Sequence, residues 1–169
     1  MPSRTLLITI VCGLAAVVAL PTSMAAATPS LAGSWHLSLV PTTAPIPITI
    51  PGLVTFTTDG SVIEADGSEL VPGPATTTGP VAISPAHGIW QISPAMVSYY
   101  LQWFSVGVNA DGSLNSTFVT TATVAFPANS TSHDTFTGSY TTVESNASGI
   151  SKTTSGTIKG TLIPHPKLP

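Results

Sequence analysis

Ser84-Pro85-Ala86-His87-Gly88-Ile89-Trp90, with the apolar run from Met96 to Val108 behind it, is the stretch on which the reading of this chain turns. His87 to Ile92 alternates and stops at Ser93-Pro94, which reads as a strand. Val97 to Val106 reads as the next strand and is the most apolar of all. Both of its faces are apolar. One must point to a core, and the other is free to meet a second subunit, so a homo-oligomer is an expected partner state.

The segments on either side repeat the pattern. Trp35, Leu37 and Leu39 share a face before a proline-rich stretch from Pro41 to Pro51, expected as an extended loop. Leu53 to Thr58 puts Val54 and Phe56 inward and leads through Asp59-Gly60 into Ser61 to Ala65. Asp66 to Pro80 reads as a loop. After Asn109 to Gly112 comes Leu114 to Phe126, with Leu114, Phe118, Ala122, Val124 and Phe126 expected on one face and Thr117, Thr121 and Thr123 opposite. Thr135 to Val143 aligns Phe136, Gly138 and Tyr140, and Ser151 to Ile163 aligns Ile158, Gly160 and Leu162. Eight consecutive strands joined mostly by short turns predict an all-β fold: a single eight-stranded antiparallel up-and-down β-barrel, with a β-sandwich as the alternative.

The first 27 residues read as a signal peptide. Arg4 supplies the positive charge, Leu6 to Leu20 the apolar core and Ala25-Ala26-Ala27 a site of small residues. The apolar run is shorter than the roughly 20 residues of a spanning helix. The expected product is a secreted or periplasmic domain over residues 28–169, with no membrane span after cleavage. The one cysteine, Cys12, and the one arginine lie inside the leader. The expected domain therefore has no disulfide or thiol nucleophile. Its only cations besides histidine are Lys152, Lys159 and Lys167, which excludes nucleic acid as a partner and argues against phosphate-bearing cofactors; no cofactor is expected. Charged residues make up 7% of the chain, against 43% apolar, so this is a neutral, hydroxyl-rich globular protein rather than a disordered linker.

Chemistry-bearing residues are few. His36, His87, His133 and His165 show no ligand spacing, so no metal site is expected. His87 precedes Gly88, where a bulge could turn its ring toward the barrel mouth. Glu64 is the strand carboxylate able to act as a buried acid or base, and its side depends on the Asp59-Gly60 turn. A two-residue loop pairs Phe56 with Ile63 and points Glu64 outward. A three-residue loop with a glycine bulge pairs Phe56 with Val62 and turns Glu64 inward. The two-residue loop is the default expectation for Asp-Gly. Glu64 and His87 are thus the catalytic candidates, and neither belongs to a catalytic signature. Trp35, Phe56, Trp90, Tyr99, Trp103, Phe118 and Tyr140 are the candidate ligand-binding residues. Trp35 and Trp90 are read first as structural rings able to close a barrel end, and both are expected to point inward, Trp35 near one end and Trp90 beside the strand from Val97 to Val106. Asn115, Asn129 and Asn146 match the glycosylation acceptor pattern.

Gly33-Ser34-Trp35 resembles the Gly-x-Trp opening of lipocalins. The Thr57-Thr58-Asp59-Gly60 hairpin and Ser84 to Trp90 resemble patterns in small secreted proteins of lipocalin-like, or calycin-like, type. Allene oxide cyclase and some pericyclase barrels share this architecture. The resemblance implies a barrel that binds a small hydrophobic ligand, or alternatively a cyclase or isomerase acting on an apolar substrate.

Overall fold

A computed structural model describes residues 29–42, 48–66, 82–95 and 97–164. The expected signal peptide, His165, Lys167 and most of the Asp66 to Pro80 loop lie outside them. The described residues form nine strands and no helix. These are β1 (Gly33–Pro41), β2 (Ile50–Phe56), β3 (Ser61–Asp66), β4 (Ala82–Ile83), β5 (Ala86–Ile92), β6 (Tyr99–Val108), β7 (Leu114–Ala125), β8 (Thr135–Asn146) and β9 (Ser151–Leu162). Eight of them close an antiparallel ring in the order β1-β2-β3-β5-β6-β7-β8-β9, with β9 returning to β1. The β6–β7 pairing, ten residue pairs long, completes the ring and makes the fold a barrel rather than a sandwich.

The short β4 lies outside the ring. It pairs with the last residues of β6, Ala82 with Val108 and Ile83 with Gly107, on the edge that β5 occupies further along. Pro85 interrupts that edge, because a proline cannot donate to a ladder. Ser84 bridges the break instead: its amide donates to the Val106 carbonyl at 2.8 Å, and its hydroxyl accepts from the Val106 amide at 3.1 Å. Pro51, expected in a loop, is a residue of β2 facing Ser38.

Three hairpins share one turn. In each, a three-residue loop ends in a glycine of positive φ: Gly60 at 92°, Gly112 at 81° and Gly149 at 77°. The glycine amide donates back to the carbonyl of the residue before the loop, Thr57, Asn109 or Asn146. This is a tight turn closed by a glycine bulge. Side chains reinforce it. Asp59 accepts from the Thr57 hydroxyl and the Ser61 amide, and Asp111 accepts from the amide and hydroxyl of Ser113.

These turns fix which side chains enter the barrel. On β8 and β9 the register sets Phe136 opposite Gly160, Gly138 opposite Ile158 and Tyr140 opposite Gly156. Phe136 and Tyr140 thus cover residues lacking a side chain, while Gly138 lies under the β7 backbone, where a Cβ would meet the Thr123 carbonyl oxygen at 2.0 Å. A Cβ at Gly160 would lie 2.2 Å from the Phe136 ring, and one at Gly156 would lie 2.7 Å from the Tyr140 ring. One end of the barrel is filled this way. Trp35 and Phe136 pack at 4.9 Å between ring centroids, and Phe56, Trp90, Tyr99 and Phe126 extend the cluster. The lead-in to β1 seals it: Leu31 is fully buried, its carbonyl accepts from the Trp35 indole at 2.8 Å, and the Tyr99 hydroxyl donates to the Pro29 carbonyl.

Candidate functional site

The other end holds a cavity of about 210 Å³. Its position follows from polarity along the strands. Past Trp35 on β1 the inward residues are Leu37, Leu39 and Pro41, and past Phe136 on β8 they become Tyr140 and Thr142. Leu39, Ile50, Ile83, Trp103 and Phe118 give the cavity apolar walls, while Ser105, Thr120, Thr142, Thr154 and Tyr140 add hydroxyls. The Thr120 and Thr142 hydroxyls, neighbours across β7 and β8, bond each other at 2.8 Å. Such a pair satisfies polar groups that face inward.

Two carboxyl groups line the same space, Glu64 and Asp66. The expectation that Glu64 points outward is overturned. Phe56 pairs with Val62 and Val54 with Glu64, and Glu64 is 3% exposed. The reason lies in the turn. A two-residue Asp-Gly loop of the primed kind needs positive φ at both residues. Here only Gly60 has it, and Asp59 does not. Trp90 holds this longer turn in place: its amide donates to Gly60 at 2.7 Å and its indole to the Thr57 carbonyl at 2.9 Å. One extra residue in the loop moves the whole of β3 by one place, which exchanges its two faces.

Asp66 lies two residues beyond Glu64, on the same side of β3. Its charge reaches across the lumen, because β8 stands four strands from β3 in either direction round the ring. Burial pushes the Tyr140 hydroxyl above the ordinary phenol value, and the negative charge of Asp66 adds to the shift. Tyr99, at the sealed end, is raised by burial alone.

The candidate ligand-binding residues divide between the two ends. Trp103, Phe118 and Tyr140 line the cavity. Trp35, Phe56, Trp90 and Tyr99 belong to the aromatic cluster at the sealed end, with Trp90 half-buried there. Both Trp35 and Trp90 point inward, as expected. His87 does not reach the mouth: Gly88 is paired without a bulge, and His87 is exposed on the outer face opposite Phe104. A Cβ at Gly88 would meet the Gln102 carbonyl oxygen at 1.9 Å, so close approach of β6 accounts for this glycine. His36 also faces out, and His133, at φ 49°, packs edge-on against Phe126 at 5.1 Å. The cavity residues that sequence reasoning missed are mainly Asp66 and the inward threonines Thr120, Thr142 and Thr154.

The outer wall has its own feature. Ile89, Tyr100 and Phe104 are exposed at 60%, 46% and 47%. A shallow groove of about 410 Å³ runs over Ile89, Gln91, Tyr100, Gln102, Thr121 and Thr123. Strands β5, β6 and β7 contain no Asp, Glu, Lys or Arg at any position. The closed eight-stranded antiparallel ring fits a calycin-like architecture. Comparison with family models, with curated proteins and with solved structures gives no match for this chain.

Proposed function

We propose that this chain is a secreted binding module that holds a small, mainly apolar molecule in the cavity at the open end of its barrel. The observation that carries this reading is the cavity itself, whose apolar walls can bury a small molecule while its hydroxyl and carboxyl groups orient it. The Gly33-Ser34-Trp35 opening and the ring of eight strands support kinship with lipocalin-like barrels. The test is displacement of an environment-sensitive apolar dye, with native mass spectrometry to count bound molecules. One molecule per chain is expected. Ser105→Trp, which fills the cavity, should abolish binding, while Ile89→Ser on the outer wall should leave it intact. Dye binding that survives Ser105→Trp and is lost in Ile89→Ser would place the ligand on the outer wall instead.

The second reading is a cyclase or isomerase on an apolar substrate. The observation favouring it is the inward carboxyl of Glu64, which lines the same cavity as the Tyr140 phenol. A site of this kind constrains a flexible substrate and offers one proton donor or acceptor. It differs from the first reading in one result: a bound apolar molecule recovered chemically changed, and unchanged from Glu64→Gln.

For the outer wall we propose a second copy of this chain as partner. A charge-free face with exposed Ile89, Tyr100 and Phe104 is complemented by another neutral apolar face such as its own. Sedimentation should show a dimer that Phe104→Lys dissociates. A monomer at high concentration would refute it.

A further inference from the structure

If the cavity binds a small molecule, as proposed above, its walls also select the charge of that molecule. Glu64 is 3% exposed, and among the described residues Glu64 and Asp66 are the charged ones lining the cavity, with no Lys, Arg or His. Lys152 stands at the mouth of this cavity, next beyond the lining residue Thr154 in its row, but it is exposed and its cross-strand neighbour is an acid, Glu144. Asp66 and Tyr140 line the same cavity, where burial first and the Asp66 charge second raise the Tyr140 hydroxyl. An organic anion entering this space meets two carboxyl groups, which resist a further negative charge. A neutral alcohol gains an ordinary hydrogen bond. A protonated amine gains a charge-assisted one, shorter and stronger, and Trp103 and Phe118 add aromatic walls that attract cations.

We propose that the cavity takes a small protonated organic amine, its ammonium group on Glu64 and Asp66 and its hydrocarbon part against Leu39, Trp103 and Phe118. Size narrows the class further. The cavity of about 210 Å³ is small beside the ~300–1,000 Å³ of typical small-molecule pockets. That suits an amine with a single ring or a short chain, and it excludes a long fatty tail lying wholly inside.

The test uses three probes that share one ring and differ in charge: phenethylamine, phenethyl alcohol and phenylacetate, titrated calorimetrically into the full chain at neutral pH. The amine should bind about tenfold more tightly than the alcohol, the difference between a charged and a neutral hydrogen bond, and phenylacetate should bind most weakly. Glu64→Gln should bring the amine down to the alcohol. Should that variant fail to fold, Asp66→Asn should still reduce the preference several-fold. Equal binding of alcohol and amine to the wild type overturns the amine assignment and leaves the binding reading standing. The same holds if an apolar dye binds the cavity and none of the three probes does. If neither dye nor probe binds, both fall.

Discussion

Where β1 begins, the barrel is shut by Trp35, Phe56, Phe136, Tyr99 and Leu31; where β1 ends, the same strands present Leu39, Glu64, Tyr140, Thr120 and Thr142 around open space. Alternation is equally strict at both ends, so it is not what separates them. Side-chain size and polarity along each inward row do that. On β8 the row runs Phe136, Gly138, Tyr140, Thr142, from large and apolar to small and hydroxyl-bearing. Stability is concentrated at one end, which leaves the other free to keep groups that a solid core would exclude.

The sharpest way to break this division is to remove its largest ring at the sealed end. Trp35 is 1% exposed, and its indole N–H is bonded to Leu31. Trp35→Ala should cost about 3–5 kcal/mol, seen as a large fall in the denaturant midpoint. Phe118→Ala, at the half-buried cavity wall, should cost less than about 2 kcal/mol, because the space beside it is already open. Equal losses would mean that both ends bear the fold alike.

A smaller effect comes from adding an atom instead of removing a ring. A Cβ at Gly160 would meet three atoms of the Phe136 ring, and Phe136 is itself fully buried with no room to retreat. Gly160→Ala should cost about 1–3 kcal/mol through overpacking. Thermal melts of this variant and of Gly112→Ala separate crowding from turn strain. The latter position has nothing within 4 Å but holds φ at 81°, so its penalty is purely conformational.

At the open end Glu64→Gln should change stability by less than about 1 kcal/mol, since removing the burden of a buried charge offsets the loss of its interactions. Chemical denaturation of the ligand-free variant checks this. A loss as large as that from Trp35→Ala would make Glu64 part of the framework and not a group held for binding.

Much of this could be read from the sequence because period-two patterns report in and out directly. The strands from Trp35 to Ile163 and the inward faces of Phe56, Phe118, Tyr140 and Ile158 followed from that alone. Height along the barrel did not, for a pattern of period two carries no axial information. Hence Phe56 and Trp103, both inward aromatics, stood together as ligand candidates although they lie at opposite ends. Thr120 and Thr142 were missed because threonine reads as an outer-face residue. Glu64 turned on a single backbone angle at Asp59. The longer turn is held locally by the Asp59 carboxylate and the Thr57 hydroxyl, as its counterpart is held by Asp111, and Trp90 adds two hydrogen bonds from thirty residues further along.

The finest difference between the ends is electrostatic, and two tyrosines report it. Tyr99 and Tyr140 both have hydroxyls raised above the ordinary value of 10.0, and burial is the first cause in each. Only Tyr140 also answers to a charge, that of Asp66. A phenol whose pKa is raised in the fold stabilises it fully below pH 10, and that stability is lost as pH climbs through the folded value, because the unfolded chain gives up the proton first. Asp66→Asn removes the negative charge opposing ionisation. The Tyr140 pKa should therefore fall toward 10.0 while that of Tyr99 stays where it is, and the alkaline loss of stability due to Tyr140 should begin no later but end at lower pH. Carbon-labelled tyrosine followed by NMR through an alkaline titration resolves the two rings. A shift of both would mean that Asp66 acts on the whole barrel. A shift of neither would mean that water in the open end screens the lumen, and would remove the field on which the preference for an amine depends.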